Sequence, residues 1–177
     1  LPFQDYFVLR GARDPVTAIE FEGLDRARPS PEAVEAVGSA RLIIVAPSNP
    51  LVSIRPILAL PGMEAALARS AALRVAVTPL IRGAAIKGPT VEMLRGLGMD
   101  AAPDAVAALY RTFLDVFVLD IRDRALAGSV ARAGSPGRPL EVECTDTLML
   151  DETGRRRLAR DLLAIAQTRG VEIACRP

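Results

Sequence analysis

Residues 41–50 read RLIIVAPSNP and residues 73–79 read LRVAVTP. Each begins as an apolar run of strand length, over 41–45 and 73–77, and each breaks abruptly into a loop rich in proline and small residues. The first loop continues through Ser53 to Pro56. The second runs through Gly83-Ala-Ala-Ile-Lys87-Gly88-Pro89. Short continuous apolar runs bounded by turn residues mark strands buried on both faces. Ligands of an open α/β sheet bind where such strands end. Small residues there let backbone N–H groups approach an anion, and Lys87 adds a point charge.

Outward from these runs, helices and strands alternate. Ser30-Pro31 reads as an N-cap with proline at the first helical position, opening a helix from Glu32 to Val37. Ile54 to Leu60 reads as a short helical turn, and Glu64 to Ala72 as an alanine-rich helix. Pro89 opens a helix to Leu97 that Gly98 closes. Pro103 starts another, with Val106, Leu109, Tyr110 and Phe113 at helical spacing. Asp115 to Leu119 is a strand, Arg122 to Ala133 a helix and Leu140 to Cys144 a strand. Asp151 caps a helix from Glu152 to Gln167 whose Leu158, Leu162, Ile165 and Ala166 face the core. Phe3 to Arg10 and Thr17 to Phe21 read as extended, and Val171 to Cys175 as an edge strand. The alternation from Glu32 onward predicts an α/β fold, Rossmann-like, with a mostly parallel sheet and helices on both faces. No second domain boundary is visible, so residues 1–177 read as a single α/β domain.

The composition narrows the chemistry. The 177 residues hold 22 basic and 21 acidic side chains, a balance that gives no reason to expect nucleic acid as a partner. No apolar stretch reaches the roughly 18 residues that a membrane span needs, so no membrane partner is expected. Cys144 and Cys175 match no zinc spacing and make no disulfide scaffold, which points to a reducing, cytoplasmic setting. The chain has no histidine. That excludes Ser-His-Asp and Cys-His catalysis and His-ligated metal within these residues.

Several motifs resemble the 2-phospho-L-lactate transferase family of coenzyme F-420 biosynthesis. They are Pro47-Ser48-Asn49-Pro50, Ser53-Ile-Arg-Pro56-Ile-Leu58 with Pro61-Gly62, and Lys87-Gly88-Pro89. The strand ending at Asp120, Thr145-Asp146-Thr147-Leu148-Met149 and Phe3-Gln4-Asp5-Tyr6-Phe7 fit as well. The resemblance runs over nearly the whole chain in order. Family members are about twice this length and open on a Gly-rich nucleotide loop, so the chain reads as the C-terminal half of such a transferase. The resemblance implies transfer of a phospholactyl or phosphoenolpyruvyl group from a guanosine-diphosphate-activated donor to the ribityl hydroxyl of the deazaflavin Fo. It also implies release of GMP and magnesium as the cofactor. The metal ligands are expected in the other half and are unassigned here.

Phosphoryl transfer asks chiefly for positioning and charge neutralisation. Ser48, Asn49 and Ser53 supply hydroxyl and amide donors, Gly83 and Gly88 allow close backbone approach, and Lys87 faces a phosphate oxygen. Asp146 is the catalytic carboxylate candidate, as base or orienting group, because it directly follows a strand. Tyr6, with Phe3 and Phe7, forms the aromatic cluster on which a deazaflavin or guanine ring would stack. The bland readings are a rigid turn at 47–50, a solvated Lys87, a locally capping Asp146 and core aromatics. Arg155-Arg156-Arg157 reads as a solvated helix face. A rival function is a non-catalytic nucleotide-sugar-binding regulator of the related cell-shape and carbon-metabolism family. The high aliphatic content and an absent half would leave an apolar face, and a homo-oligomer, a dimer, is expected from it.

Overall fold

The computed structural model describes residues 1–173. Its centre is a parallel four-stranded sheet in the order β1 (Leu42–Val45), β2 (Leu73–Val77), β5 (Val116–Asp120), β6 (Glu141–Thr145). A two-stranded antiparallel hairpin, β3 (Leu80–Ile81) with β4 (Ala84–Ala85), stands at the end of β2. The helices are α1 (Pro31–Ser39), α2 (Arg55–Leu58), α3 (Met63–Arg69), α4 (Thr90–Gly96), α5 (Pro103–Ala108), α6 (Ala127–Arg132) and α7 (Glu152–Gln167). The α/β reading therefore holds. No single helix among the described residues is long and apolar enough to cross a membrane.

The pleat divides the core in two. Val75, Val77, Val116 and Val118 point to one face and are closed off by Leu158, Leu162 and Ile165 of α7. Ala76, Phe117 and Leu119 point to the other, where Leu67, Leu94, Val106 and Phe113 pack on them. Alternate residues thus face opposite cores, which is why β5 is apolar without interruption from Val116 to Leu119. The caps read from the sequence are present. Ser30 Oγ accepts the Ala33 N–H at 3.2 Å, and Asp151 Oδ1 accepts the Gly154 N–H at 2.7 Å.

Four segments depart from the sequence reading. Phe3 to Arg10 is helical, not extended. Asp5–Leu9 forms a wide π-type turn closed by the Arg10 N–H on the Asp5 carbonyl at 3.0 Å. Tyr6 turns into the core, while Phe3 and Phe7 stack outside with centroids 5.6 Å apart. An i,i+4 pair meets this way on a helix and is held apart on a strand. The aromatic trio is therefore split, and Tyr110 with Phe113 forms a second aromatic pair at 6.0 Å.

Thr17 to Phe21 joins no sheet. Its alternation serves a strap instead, with Val16 and Ile19 packed on the core. The strap crosses α4 at Gly96, where a Cβ would collide with the Val16 carbonyl. Gly96→Ala is expected to cost about 1–3 kcal/mol through that backbone overlap, read as a lower chemical-denaturation midpoint. Unchanged stability would mean the strap does not lie there. Finally, 171–173 is not a strand. The Val171 N–H returns to the Ala166 carbonyl at 3.1 Å beyond a left-handed Gly170 (φ +78°), which is a helix C-cap. Cys175 lies outside the described residues. The helix read over 122–133 is a 3₁₀ segment, Ile121–Leu126, running into α6.

Candidate active site at the carboxyl ends of the strands

Because β1 and β2 are parallel neighbours, with Ile44 opposite Val75, the loops that follow them open on the same rim. Asn49 shapes the first loop. Its Oδ1 accepts the Leu51 and Val52 N–H groups at 2.9 and 3.3 Å, capping the π-type turn Pro50–Ile54. Its Nδ2 donates to Met93 Sδ of α4 at 3.4 Å. The amide is thus committed to holding the loop, a cap worth about 1 kcal/mol. Ser48 is half-buried beside it, and Ser53 is exposed one turn on.

The second loop is built by the hairpin. Arg82 (φ +52°) and Gly83 (φ +70°) are the two central residues of its turn, a geometry that demands positive φ at both. The buried Asp123 accepts the Arg82 N–H at 2.8 Å and pins the hairpin to the segment after β5. Gly83 therefore serves the turn. Gly88 (φ +76°) lies on the side of Phe7 and Gly11. Lys87 instead turns into a cavity of about 240 Å³, shared with Pro47, Ile81, Ile86, Met149 and Arg155.

Under this rim runs an acid–arginine network that the sequence reading found only in part. Asp120, at the end of β5, is fully buried. It accepts the Arg122 N–H at 2.9 Å, the Arg122 guanidinium at 2.9 and 3.0 Å, and the Thr147 N–H and hydroxyl at 2.9 and 3.0 Å. Burial pushes its carboxyl up, but the backbone N–H groups of Arg122 and Thr147, with their side chains, hold it below the usual carboxylate range. Asp146, just past β6, accepts from Arg122 at 2.8 Å and from Arg157 at 2.9 Å. Its Oδ1 also takes the Leu148 N–H at 3.2 Å. The Arg122 hydrogen bond is the main cause of its lowered pKa.

The basic run divides by direction, because successive helical residues are turned about 100° apart. Arg156 pairs with Glu152 at 2.7 Å on the surface. Arg157 reaches inward to Asp146 and donates to the Leu148 carbonyl at 2.8 Å. Arg155 lines the cavity with Lys87. The expectation of a solvated face holds for Arg155 and Arg156, both exposed, although Arg155 also borders the Lys87 cavity; Arg157 alone is drawn inward.

Tyr6 is not brought to the Lys87 cavity. It lines another, of about 290 Å³, with Phe3, Val16, Ile19, Val52 and Met93. Its hydroxyl donates to the Ala12 carbonyl at 3.4 Å. The two cavities border the same loop, one at Pro47 and one at Val52. A divalent cation does not fit the rim's carboxylates. Asp120 and Asp146 are already paired with arginine, Asp123 is engaged by the Arg82 N–H, and among the described residues no three acidic or cysteine side chains gather as a ligand set.

Residues 3–162 match the family model described as 2-phospho-L-lactate transferase CofD. The 2-phospho-L-lactate transferase of Methanosarcina barkeri is 32% identical over 168 residues, covering 95% of this chain and 52% of that protein. That of Methanosarcina mazei is 35% identical over 157 residues, 89% of this chain and 50% of that protein. The phosphoenolpyruvate transferase of Kitasatospora aureofaciens is 36% identical over 166 residues, 93% and 50%. The chain spans about half the length of these curated relatives.

Proposed function

Since the chain belongs to the 2-phospho-L-lactate transferase CofD family, we propose that it contributes the strand-end half of a site that moves a phospholactyl or phosphoenolpyruvyl group. The donor is a guanosine-diphosphate-activated three-carbon acid and the acceptor is the deazaflavin Fo. One observation carries the reading: two cavities flank a single rigid loop, a cationic one at Pro47 and an aromatic one at Val52. The first suits the charged donor. The second, walled by Phe3 and Tyr6, suits a flat acceptor ring.

The reaction joins them across the loop. The ribityl hydroxyl attacks the phosphorus that carries the three-carbon acid. The bond from that phosphorus to GMP breaks, GMP leaves, and the hydroxyl proton passes to solvent or to a base. Negative charge accumulates on the phosphoryl oxygens, and the Lys87 ammonium neutralises it. The Asn49 cap keeps the loop, and so the spacing of the cavities, fixed. Magnesium belongs to the implied reaction, but this chain's rim carboxylates do not offer it a place, and no step here depends on it.

The test is direct. Full-length protein is incubated with the activated donor and Fo, and GMP and the phosphodiester product are followed by liquid chromatography with mass detection. Equal amounts of both are expected. GMP release without a deazaflavin product would reject the transferase reading.

A further inference from the structure

The geometry points to Arg155, with Lys87, as a two-cation clamp for the three-carbon acid itself, one cation for its phosphate and one for its carboxylate. The inference rests on the transferase reading and assigns a subsite within it.

Four features of the cavity carry it. First, its side-chain donors are few. The Thr147 hydroxyl donates its hydrogen bond to Asp120 at 3.0 Å, and the Thr78 hydroxyl donates to the Leu80 carbonyl at 3.1 Å. Pro47 and Pro79 have no N–H to give. Lys87 and Arg155 remain as the side-chain donors of the lining.

Second, these two cations are unspent. Among the described residues, Arg122, Arg156 and Arg157 each hold a carboxylate, whereas neither Lys87 nor Arg155 forms an ion pair. Their neighbours thus show what a carboxylate at this rim would look like, and none is supplied to these two. Third, the two heads differ in the way the ligand's ends differ. A guanidinium fork matches a planar carboxylate in two parallel bonds, and an ammonium acts as a point charge toward a phosphate oxygen. Fourth, the remaining wall is apolar: Ile81, Ile86 and Met149. A methyl or methylene carbon between two anionic ends fits that wall.

Phosphoenolpyruvate is the probe, with inorganic phosphate and pyruvate as its two halves. Binding to the full-length protein is measured by calorimetry. Phosphoenolpyruvate is expected to bind at least tenfold more tightly than either half. Arg155→Gln and Lys87→Gln should each weaken it about tenfold or more, the scale of a lost charge-assisted hydrogen bond. Arg156→Gln, whose parent side chain is held by Glu152 on the outer surface, should change it less than about twofold.

Wild-type affinity in both cavity variants overturns the clamp, as does absence of phosphoenolpyruvate binding to the parent protein. Inorganic phosphate binding as tightly as phosphoenolpyruvate overturns the two-ended assignment. If Arg155→Gln transfers the group from donor to Fo with unchanged KM, the clamp fails and the transferase reading stands. If phosphoenolpyruvate binds as expected but no donor is turned over, the transferase reading fails and Arg155 still marks an anion site.

Discussion

Arg74→Met is expected to lower the stability of the protein by about 3 kcal/mol, a fall of about 10 °C in the unfolding midpoint for a chain of this size. Arg74 sits at the start of β2 with its side chain 11% exposed. Its guanidinium forks onto Asp115 at 2.7 and 2.8 Å. The remaining nitrogen donates to the carbonyls of Leu67, Ala68 and Ser70 at 3.0–3.2 Å. Those carbonyls belong to the last turn and cap of α3, where only Leu67 has a backbone partner, the Ser70 N–H at 3.3 Å. One side chain therefore ties a helix terminus to the starts of two central strands. Methionine keeps the apolar stem and removes every donor. It leaves the Ala68 and Ser70 carbonyls without their Arg74 donor and Asp115 with Arg138 alone as its cation, and an unpaired buried acceptor costs more than a lost surface contact.

The same lock sets a pH dependence. Burial pushes the Asp115 carboxyl up, but the Arg74 side-chain and backbone hydrogen bonds, with charge from Arg74 and Arg138, hold it below its ordinary value. A carboxyl whose folded pKa is depressed stabilises the fold above the unfolded value, near pH 4, and loses that contribution as pH falls through the folded value. Stability should therefore be level from neutrality down to about pH 5 and drop below about pH 4. Asp115→Asn should start lower and fall less steeply. A parallel curve for the two proteins would mean that Asp115 is not the group titrating.

The elements that were legible in the sequence are those whose local signals agree with their burial. β2 from Val75 to Val77 and β5 from Val116 to Leu119 are uninterrupted apolar runs because both faces are covered. α1 and α7 carry their caps in plain view at Ser30 and Asp151. Both strand-end loops could be placed because proline and glycine punctuate them. The failures share a cause. Phe3 to Arg10 and Thr17 to Phe21 carry apolar residues whose spacing suits more than one backbone, and contacts distant in sequence decide between them. Val16 meets Gly96, and Tyr6 meets the core. The acid–arginine network was half legible. Asp146 was visible from its position after a strand. Its partners Arg122 and Arg157 come from segments 24 and 11 residues away, and no local pattern announces them. The consecutive Arg155, Arg156 and Arg157 of α7 look alike in sequence, and only the rotation of the helix against the sheet gives each a different role.

That rotation bears on what Asp146 does, and here the largest change in rate is expected. Asp146→Asn should lower group transfer by about tenfold to a hundredfold, the range in which mispositioned charge-stabilising groups act. Two roles would produce such a loss, and they differ in its pH dependence. A general base works best with a pKa near the operating pH. The Arg122 hydrogen bond, then burial in the opposing sense, the Leu148 N–H and the charge of Arg157 leave Asp146 below the ordinary carboxylate range, which makes it a feeble proton acceptor at neutrality. Its geometry suits the other role. With one oxygen on Arg122 at 2.8 Å and the other on Arg157 at 2.9 Å, it fixes two guanidinium groups beside the segment that carries Thr147 and Met149, two walls of the Lys87 cavity. As a positioning residue it should leave the shape of the kcat/KM profile against pH unchanged while the whole curve sinks. If the asparagine variant instead loses an acidic limb that the parent shows, Asp146 is the base, and the arginines serve to orient it.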